Sequence, residues 1–302
     1  MFIDMVACKL HAVETDPAIT SFEGALKMLR QLGIEDFGHV LMSMPNKAYP
    51  KLSRLLPRMA SEEVQQSWTG CSGVTLLRQT CAFVRSVAYH YLKITGSDLE
   101  GAAILDFGCG YGRIARLMYY FSDPFRVMGV DPWDRSIELC HKAGLGSQFV
   151  QSAYLPADLP VGSARFDLIF AFSVFTHLSE RAARIALQTM TKYLNPGGLL
   201  AITVRPVEYW NHDSAARSRG LVEQQITLHR QKGFSFLPHA RPPVDGDVTY
   251  GDTTLTPKWL ADNFPQLPIV GQDRSLNDEL QIYLFLQPLD PRSKEASPKA
   301  GI

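Results

Sequence analysis

From about residue 102 onward, short apolar runs alternate with stretches whose apolar residues recur every three or four positions. The runs AAILDF (102–107), RVMGVD (126–131), SQFVQS (147–152), FDLIFAF (166–172) and GLLAITV (198–204) read as strands. The segments 112–121, 134–143 and 179–194 read as helices; in the last, Ser179 can cap the first turn and Glu180 complements the helix dipole. Strands with almost no polar alternation, each followed by a helix, predict an α/β fold: a parallel sheet covered on both faces, made doubly wound by right-handed crossovers.

The first hundred residues carry helical periodicity throughout. TSFEGALKMLRQLG opens with a capping box, Thr20 to Glu23, and ends at Gly33, and TLLRQTCAFVRSVAYHYLKITG forms a longer helix with Gly96 as its C-cap. MPNKAYPKLSRLLPRM, broken by three prolines, reads as irregular or as short turns. Residues 205–256 interrupt the strand–helix rhythm with polar, Pro- and Gly-containing sequence and one helix over 216–232. After TPKWLADNF, a short helix, PIVGQ and ELQIYLFLQ lie too close together for a helical crossover, so they should pair antiparallel. The expected organisation is a helical extension over 1–100 that caps the substrate, a core over 101–290 with an insertion at 205–256 acting as a lid, and a frayed tail over 291–302.

Composition narrows the partners. Thirty basic and thirty acidic residues cancel, which argues against a nucleic acid held by phosphate neutralisation. Five scattered cysteines without a CxxC pair fit neither a disulfide framework nor a zinc site and favour the cytoplasm. No apolar run approaches membrane-spanning length, and MFIDMVACKL has no cleavable signal pattern.

The chemistry concentrates in ILDFGCGYGR, residues 104–113. A Walker loop needs Lys-Ser/Thr after its last glycine, and here Arg113-Ile114 follows Gly112. The dinucleotide fingerprint needs a glycine at 113, which speaks against an oxidoreductase built on NAD. The pattern is instead GxGxG (Gly108, Gly110, Gly112) preceded by Asp106, an acid that would repel a pyrophosphate and suits an ammonium group. The second strand ends in Asp131, 19 residues beyond Gly112, where a carboxylate can accept both ribose hydroxyls. Pro132 and Trp133 add apolar surface for an adenine ring.

ILDFGCGYGR, VMGVDPW, FDLIFAFSVFTHL and LNPGGLLAITV, in this order and spacing, resemble the class I S-adenosylmethionine-dependent methyltransferases over roughly residues 100–290. The resemblance implies a seven-stranded, mostly parallel sheet of order 3-2-1-4-5-7-6 with strand 7 antiparallel. It implies that Asp106, Gly108, Cys109, Gly110 and Gly112 hold the methionine end of S-adenosylmethionine. Asp131 then takes the ribose, Pro132 and Trp133 flank the adenine, Ser152 and Ala153 reach its edge, and Phe172 and Ser173 pass beside the methionine portion. S-adenosylhomocysteine would be the product.

At the carboxyl edge of the sheet, where ligands bind in such folds, His177 is the candidate base, with Tyr209, His212 and Tyr250 as candidate substrate contacts. Cys109 lacks a paired base and reads as loop filling rather than as a nucleophile. Arg78 and Arg85 read as a solvated helix face. The sequence after strand four, Ser173-Val174-Phe175-Thr176, has no Asn/Asp-Pro-Pro-Tyr-like run, which argues against base N-methylation. The expected function is methylation of a small-molecule acceptor, a sugar or other metabolite hydroxyl. The alternatives are a non-catalytic cofactor-binding protein or a methyltransferase acting on protein or RNA, and a homo-oligomer is left open.

Overall fold

A computed structural model describes residues 4–289; the expected tail lies outside them. Six helices come first: α1 (Asp4–Thr15), α2 (Phe22–Leu29), α3 (Ile34–Met42), α4 (Pro50–Leu55), α5 (Glu62–Thr69) and α6 (Gly73–Thr95). The cap of α2 is Ser21, whose hydroxyl accepts from Gly24 N at 3.1 Å, one residue beyond the expected Thr20. The proline-broken stretch holds α4, begun by Pro50 in the first turn, where a missing N–H leaves nothing unsatisfied. α6 ends at Gly96 with φ 76°, as its sequence requires.

The strand–helix core follows: β1 (Ile104–Phe107), α7 (Arg113–Met118), β2 (Val127–Asp131), α8 (Asp134–Lys142), β3 (Phe149–Gln151), β4 (Phe166–Ala171), α9 (Glu180–Tyr193) and β5 (Leu194–Val204). Then come α10 (Ser214–Ser218), α11 (Val222–Lys232), β6 (Phe234–Pro238), β7 (Gly251–Leu255), α12 (Pro257–Asn263), β8 (Ile269–Ser275) and β9 (Asp278–Leu286). The main sheet has the order β3-β2-β1-β4-β5-β9-β8. β1 to β5 are parallel, while β9 pairs antiparallel with both β5 and β8. This is the expected seven-stranded order with its antiparallel seventh strand.

Successive residues of the central strands divide between two buried clusters, as the two-residue period of a strand demands. Ile104, Phe170, Leu199 and Phe285 pack with α6, α7 and the helices before them. Leu105, Ile169, Leu200 and Leu284 pack with α9 and α12 on the other face. The first helices are therefore one layer of the sandwich and share its core. Arg116, 2% exposed, ties this layer to the glycine bend: Nη1 donates to Tyr111 O at 2.5 Å and Nη2 to Arg58 O at 2.7 Å.

The insertion differs from its sequence reading in two ways. The helix expected over 216–232 is broken at Gly220 (φ 66°) into α10 and α11. The polar stretch after it contains a two-stranded antiparallel sheet, β6–β7, that periodicity does not announce. β7 lies against the segment following β4: Gly251 N donates to His177 O and Thr253 N to Thr176 O, at 2.8 and 2.9 Å. Among the described residues no helix is long and apolar enough to cross a membrane, and no cluster of ligating side chains could hold a metal.

Candidate functional site

The glycine bend leaves β1 at Phe107 and turns into α7. Gly108 N and Cys109 N both donate to Val130 O on the neighbouring strand, at 2.8 and 3.0 Å, which fixes the bend against the end of β2. Gly108 has φ 79°, and a Cβ there would run into Val174 Cγ2; packing alone requires this glycine. Gly110, with φ 52°, is different: a Cβ would find only the Trp68 ring, 3.9 Å away, so here the open backbone faces a cleft roofed by that indole. The Cys109 thiol is 6% exposed, faces Gly110 O, and is pushed up by burial, as befits a filler rather than a nucleophile.

Two acids flank the bend. Asp131 accepts from Gly110 N and from Trp133 N, both at 2.9 Å, through different oxygens. Burial raises its pKa, opposed by those two amides and by the Ser136 side chain, and the carboxylate's remaining lone pair is left for a hydroxyl donor. Asp106 is 3% exposed. Burial pushes its carboxyl up to about 8 against the pull of Arg113, and no cationic nitrogen of a described residue lies within 4 Å of it. An acid in that state favours an arriving ammonium group. Trp133 is stacked by Trp68 of α5 at 4.6 Å between centroids, and the Arg135 guanidinium lies over both rings. These residues fit an adenosyl amino acid: a hydroxyl-accepting carboxylate, a buried acid and a wall of aromatic surface along one bend.

Beyond Val174 the cleft is built from side chains that meet across long stretches of chain. Ser173 adopts φ 58°, its N–H bonded to Thr203 Oγ1 at 2.7 Å. His177 has Nδ1 2.8 Å from Gly251 O, and a carbonyl only accepts, so Nδ1 carries the proton. Nε2 then accepts from Arg205 Nη2 at 3.3 Å. Burial and the Arg205 charge lower His177 to about 4. The expected base thus has both ring nitrogens engaged.

Asp252 is the hub of this end. It accepts from Arg205 Nη1 at 2.7 Å, Tyr209 Oη at 2.8 Å and His239 Nε2 at 2.6 Å. Burial raises its pKa, but His239, Arg205 and Tyr209 together hold it below the usual carboxylate value. Tyr250 stacks on His177 at 5.0 Å, and the Arg241 guanidinium lies 4.2 Å from its ring centroid. Burial raises the Tyr250 hydroxyl above its ordinary value, and its ring packs edge-on against His239, 5.5 Å between centroids.

With this geometry in view, the comparisons with known proteins have a site to attach to. The methyltransferase domain family matches residues 104–198, from the first residue of β1 into β5. Residues 104–198 carry a methyltransferase domain. A fatty-acid O-methyltransferase of Mycolicibacterium smegmatis is 23% identical over 213 residues, covering 68% of this chain and 75% of that protein. The O-methyltransferase rstn1 of Aspergillus nomiae is 33% identical over 113 residues; there the match covers 35% of this chain and about half, 48%, of that protein. Among solved structures, magnesium protoporphyrin IX methyltransferase from Synechocystis PCC 6803 with bound S-adenosylhomocysteine aligns with a TM-score of 0.45 and 18% identity, over 69% of this chain and 82% of that one.

S-adenosylmethionine is the cofactor of this methyltransferase domain and supplies an activated methyl group on a sulfonium. Of the residues expected to hold it, Asp106, Gly108, Cys109, Gly110, Gly112, Asp131, Pro132 and Trp133 form the bend and the end of β2. Phe172 and Ser173 lie next to them at the end of β4. Ser152 N donates to Asp131 O at 3.0 Å, which places Ser152 and Ala153 beside Asp131. Of the expected acceptor contacts, Tyr209 and Tyr250 join the Asp252 hub, whereas His212 is exposed and makes only a turn bond to Tyr209 O. Arg78 and Arg85 lie on an exposed helix face as expected, Arg85 in a solvent-exposed pair with Glu35.

Four participants carry no local signal: Trp68, Arg205, His239 and the hub role of Asp252. Each acts through a partner far away in sequence. The one available hint is the clustering of His239, Arg241, Tyr250 and Asp252 in a stretch otherwise rich in turn residues.

Proposed function

We propose that the methyltransferase domain transfers its methyl group to a hydroxyl of a small-molecule acceptor bound between Ser173, Tyr250 and the Asp252 hub. The observation that carries this reading is the backbone seam between 176–178 and 250–253, two amide bonds plus the Leu178–Tyr250 bridge. It lays the chain's own insertion against the segment following β4, which favours a small acceptor held beneath the insertion over an open platform for a macromolecule. The O-methyltransferase names of two of the relatives favour oxygen as the accepting atom.

The chain's task is to align the acceptor with the methyl group and exclude water; alignment alone is worth roughly 7–11 kcal/mol of barrier. A hydroxyl must also lose its proton. His239 is the base this site offers: Asp252 holds Nε2, which leaves Nδ1 as the acceptor nitrogen, in the general manner of a carboxylate-oriented imidazole. His177 serves as a positioning residue, since its protonated Nδ1 holds the insertion at Gly251 and its Nε2 holds Arg205. The test is to incubate the purified protein with methyl-tritiated S-adenosylmethionine and, separately, a small-metabolite extract, bulk tRNA and denatured protein. Label is expected in the small-metabolite fraction, and label confined to tRNA or protein would overturn the reading.

A further inference from the structure

Arg113 opens α7 directly after the third glycine, and its guanidinium turns back over the foot of the cleft. Its Nη1 donates to Gln79 Oε1 at 2.9 Å and to Thr80 Oγ1 at 2.7 Å, both on α6. Gln79 is held in that orientation by its own amide, which donates to Asp278 Oδ2 at 2.6 Å. The guanidinium also lies 5.1 Å from the centroid of Phe172, the residue at the end of β4. These are neutral partners for a cation. Among the described residues no carboxylate lies within 4 Å of Arg113, although it is desolvated enough for burial to lower its pKa. Two of the five guanidinium N–H groups are used, and the set on Nη2 and Nε has no protein acceptor.

Across the bend sits the mirror case, Asp106, a buried acid with no cation within 4 Å. Asp106 lies near the end of β1 and Arg113 opens α7, one on each side of the glycine bend, and each charge acts on the other group. A buried guanidinium and a buried carboxyl that do not pair with each other each keep polar atoms for a ligand that engages both. An α-amino acid does so, with an ammonium and a carboxylate on a single carbon.

Resting on the assignment of S-adenosylmethionine as cofactor, we propose that Arg113 binds the carboxylate of its amino-acid end while Asp106 takes the ammonium. The free edge of a guanidinium can grip a carboxylate through two parallel N–H bonds, and Gln79 and Thr80 fix the plane in which it does so. The helical layer at the N-terminus thereby takes part in cofactor binding through α6. A linked proton follows: Asp106, substantially protonated at neutral pH in the free protein, gives up its proton when the ammonium arrives.

Calorimetric binding of two ligands to the full chain tests this. S-adenosylhomocysteine carries the amino-acid end; 5′-methylthioadenosine carries the same adenosine and a thioether without it. Arg113→Met is expected to weaken S-adenosylhomocysteine by about 10- to 100-fold, the range for hydrogen bonds to a charged group, and to leave methylthioadenosine within about twofold. Arg113→Lys, which keeps the charge but not the fork, serves if the methionine variant does not fold, with a smaller loss again confined to S-adenosylhomocysteine. Equal losses for both ligands, or none for either, would overturn the assignment of Arg113 alone. A wild-type protein that binds neither ligand would overturn the cofactor assignment and this proposal with it.

Discussion

At the cofactor end, Asp131 accepts from the backbone amides of Gly110, 21 residues back, and Trp133, two residues on, with the nearby Ser136 side chain as its one further partner among the described residues. At the acceptor end, Asp252 reaches Arg205, Tyr209 and His239, which are 47, 43 and 13 residues away, and all three partners are side chains. One end is a backbone device, whose shape follows from glycines and a strand end in fixed order. The other is a side-chain device that exists only once the insertion has folded onto the segment after β4. A backbone device suits a constant cofactor, and a side-chain device can be altered by single substitutions without disturbing the sheet. The contrast predicts different kinds of damage at the two ends.

The largest effect is expected at the hub. Asp252→Ala leaves Arg205 without its carboxylate in a largely buried place, and removing one partner of such a pair costs about 3–5 kcal/mol. Urea unfolding should show that loss, with S-adenosylhomocysteine affinity changed by less than about threefold under conditions where the variant is folded. A loss of affinity as large as that of the cofactor-end variants would break the distinction.

The two devices touch at Gly108 and Val174, and the next effect falls there. Gly108→Ala must adopt a left-handed backbone and drive its methyl into Val174, at a combined cost of about 2–4 kcal/mol. The double variant with Val174→Ala should recover the packing part and retain the backbone part. Full recovery, read from thermal melts, would mean that the glycine is needed for space alone. Asp131→Ala comes third. It removes the acceptor for two amides and the proposed ribose contact, raising the dissociation constant of S-adenosylhomocysteine about 10- to 100-fold with less effect on the melting temperature than Asp252→Ala.

The same contrast accounts for what could be read in advance. The order of the sheet, the bend and the terminal hairpin follow from local signals: apolar runs, glycine spacing, and a connection too short for a crossover. Strand ends shifted by up to four residues, as where β5 begins at Leu194 instead of 198, because pairing with neighbours, not composition, decides where a ladder stops. The β6–β7 sheet escaped because β7, GDTTL, has no apolar alternation. Asp252, Thr253 and Thr254 are buried at 6, 0 and 0% exposure, and their polar groups are satisfied by Arg205 and His239, by Leu178 O, and by Trp210 and His229. A strand buried through polar partners looks like a loop until the partners are in place. The helix over 216–232 broke for the opposite reason: a purely local feature, Gly220 in the left-handed region, outweighed the periodicity around it.

Per pH unit, the smallest effects are slopes with pH, and they take opposite signs at the two ends. Asp106 is raised to about 8 in the folded chain from a carboxylate's ordinary 3.8. Between those values the folded state holds a proton that the unfolded state has lost, so stability falls as pH rises through that window. His177 is lowered to about 4 from 6.5. Between those values the unfolded state binds the proton that the folded state refuses, so stability falls as pH drops from 6.5 toward 4. Neither slope can exceed about 1.4 kcal/mol per pH unit for a single group. Denaturant unfolding of the free protein across pH 4–8 should show the alkaline decline flattened by Asp106→Asn and the acid decline flattened by His177→Gln, each variant leaving the other limb in place. Saturating S-adenosylhomocysteine should remove the Asp106 limb alone, because an ammonium beside that carboxyl restores its charge while the Arg205–His177 contact lies beyond the reach of the amino-acid end. A ligand that flattened both limbs equally would mean that the two devices are one.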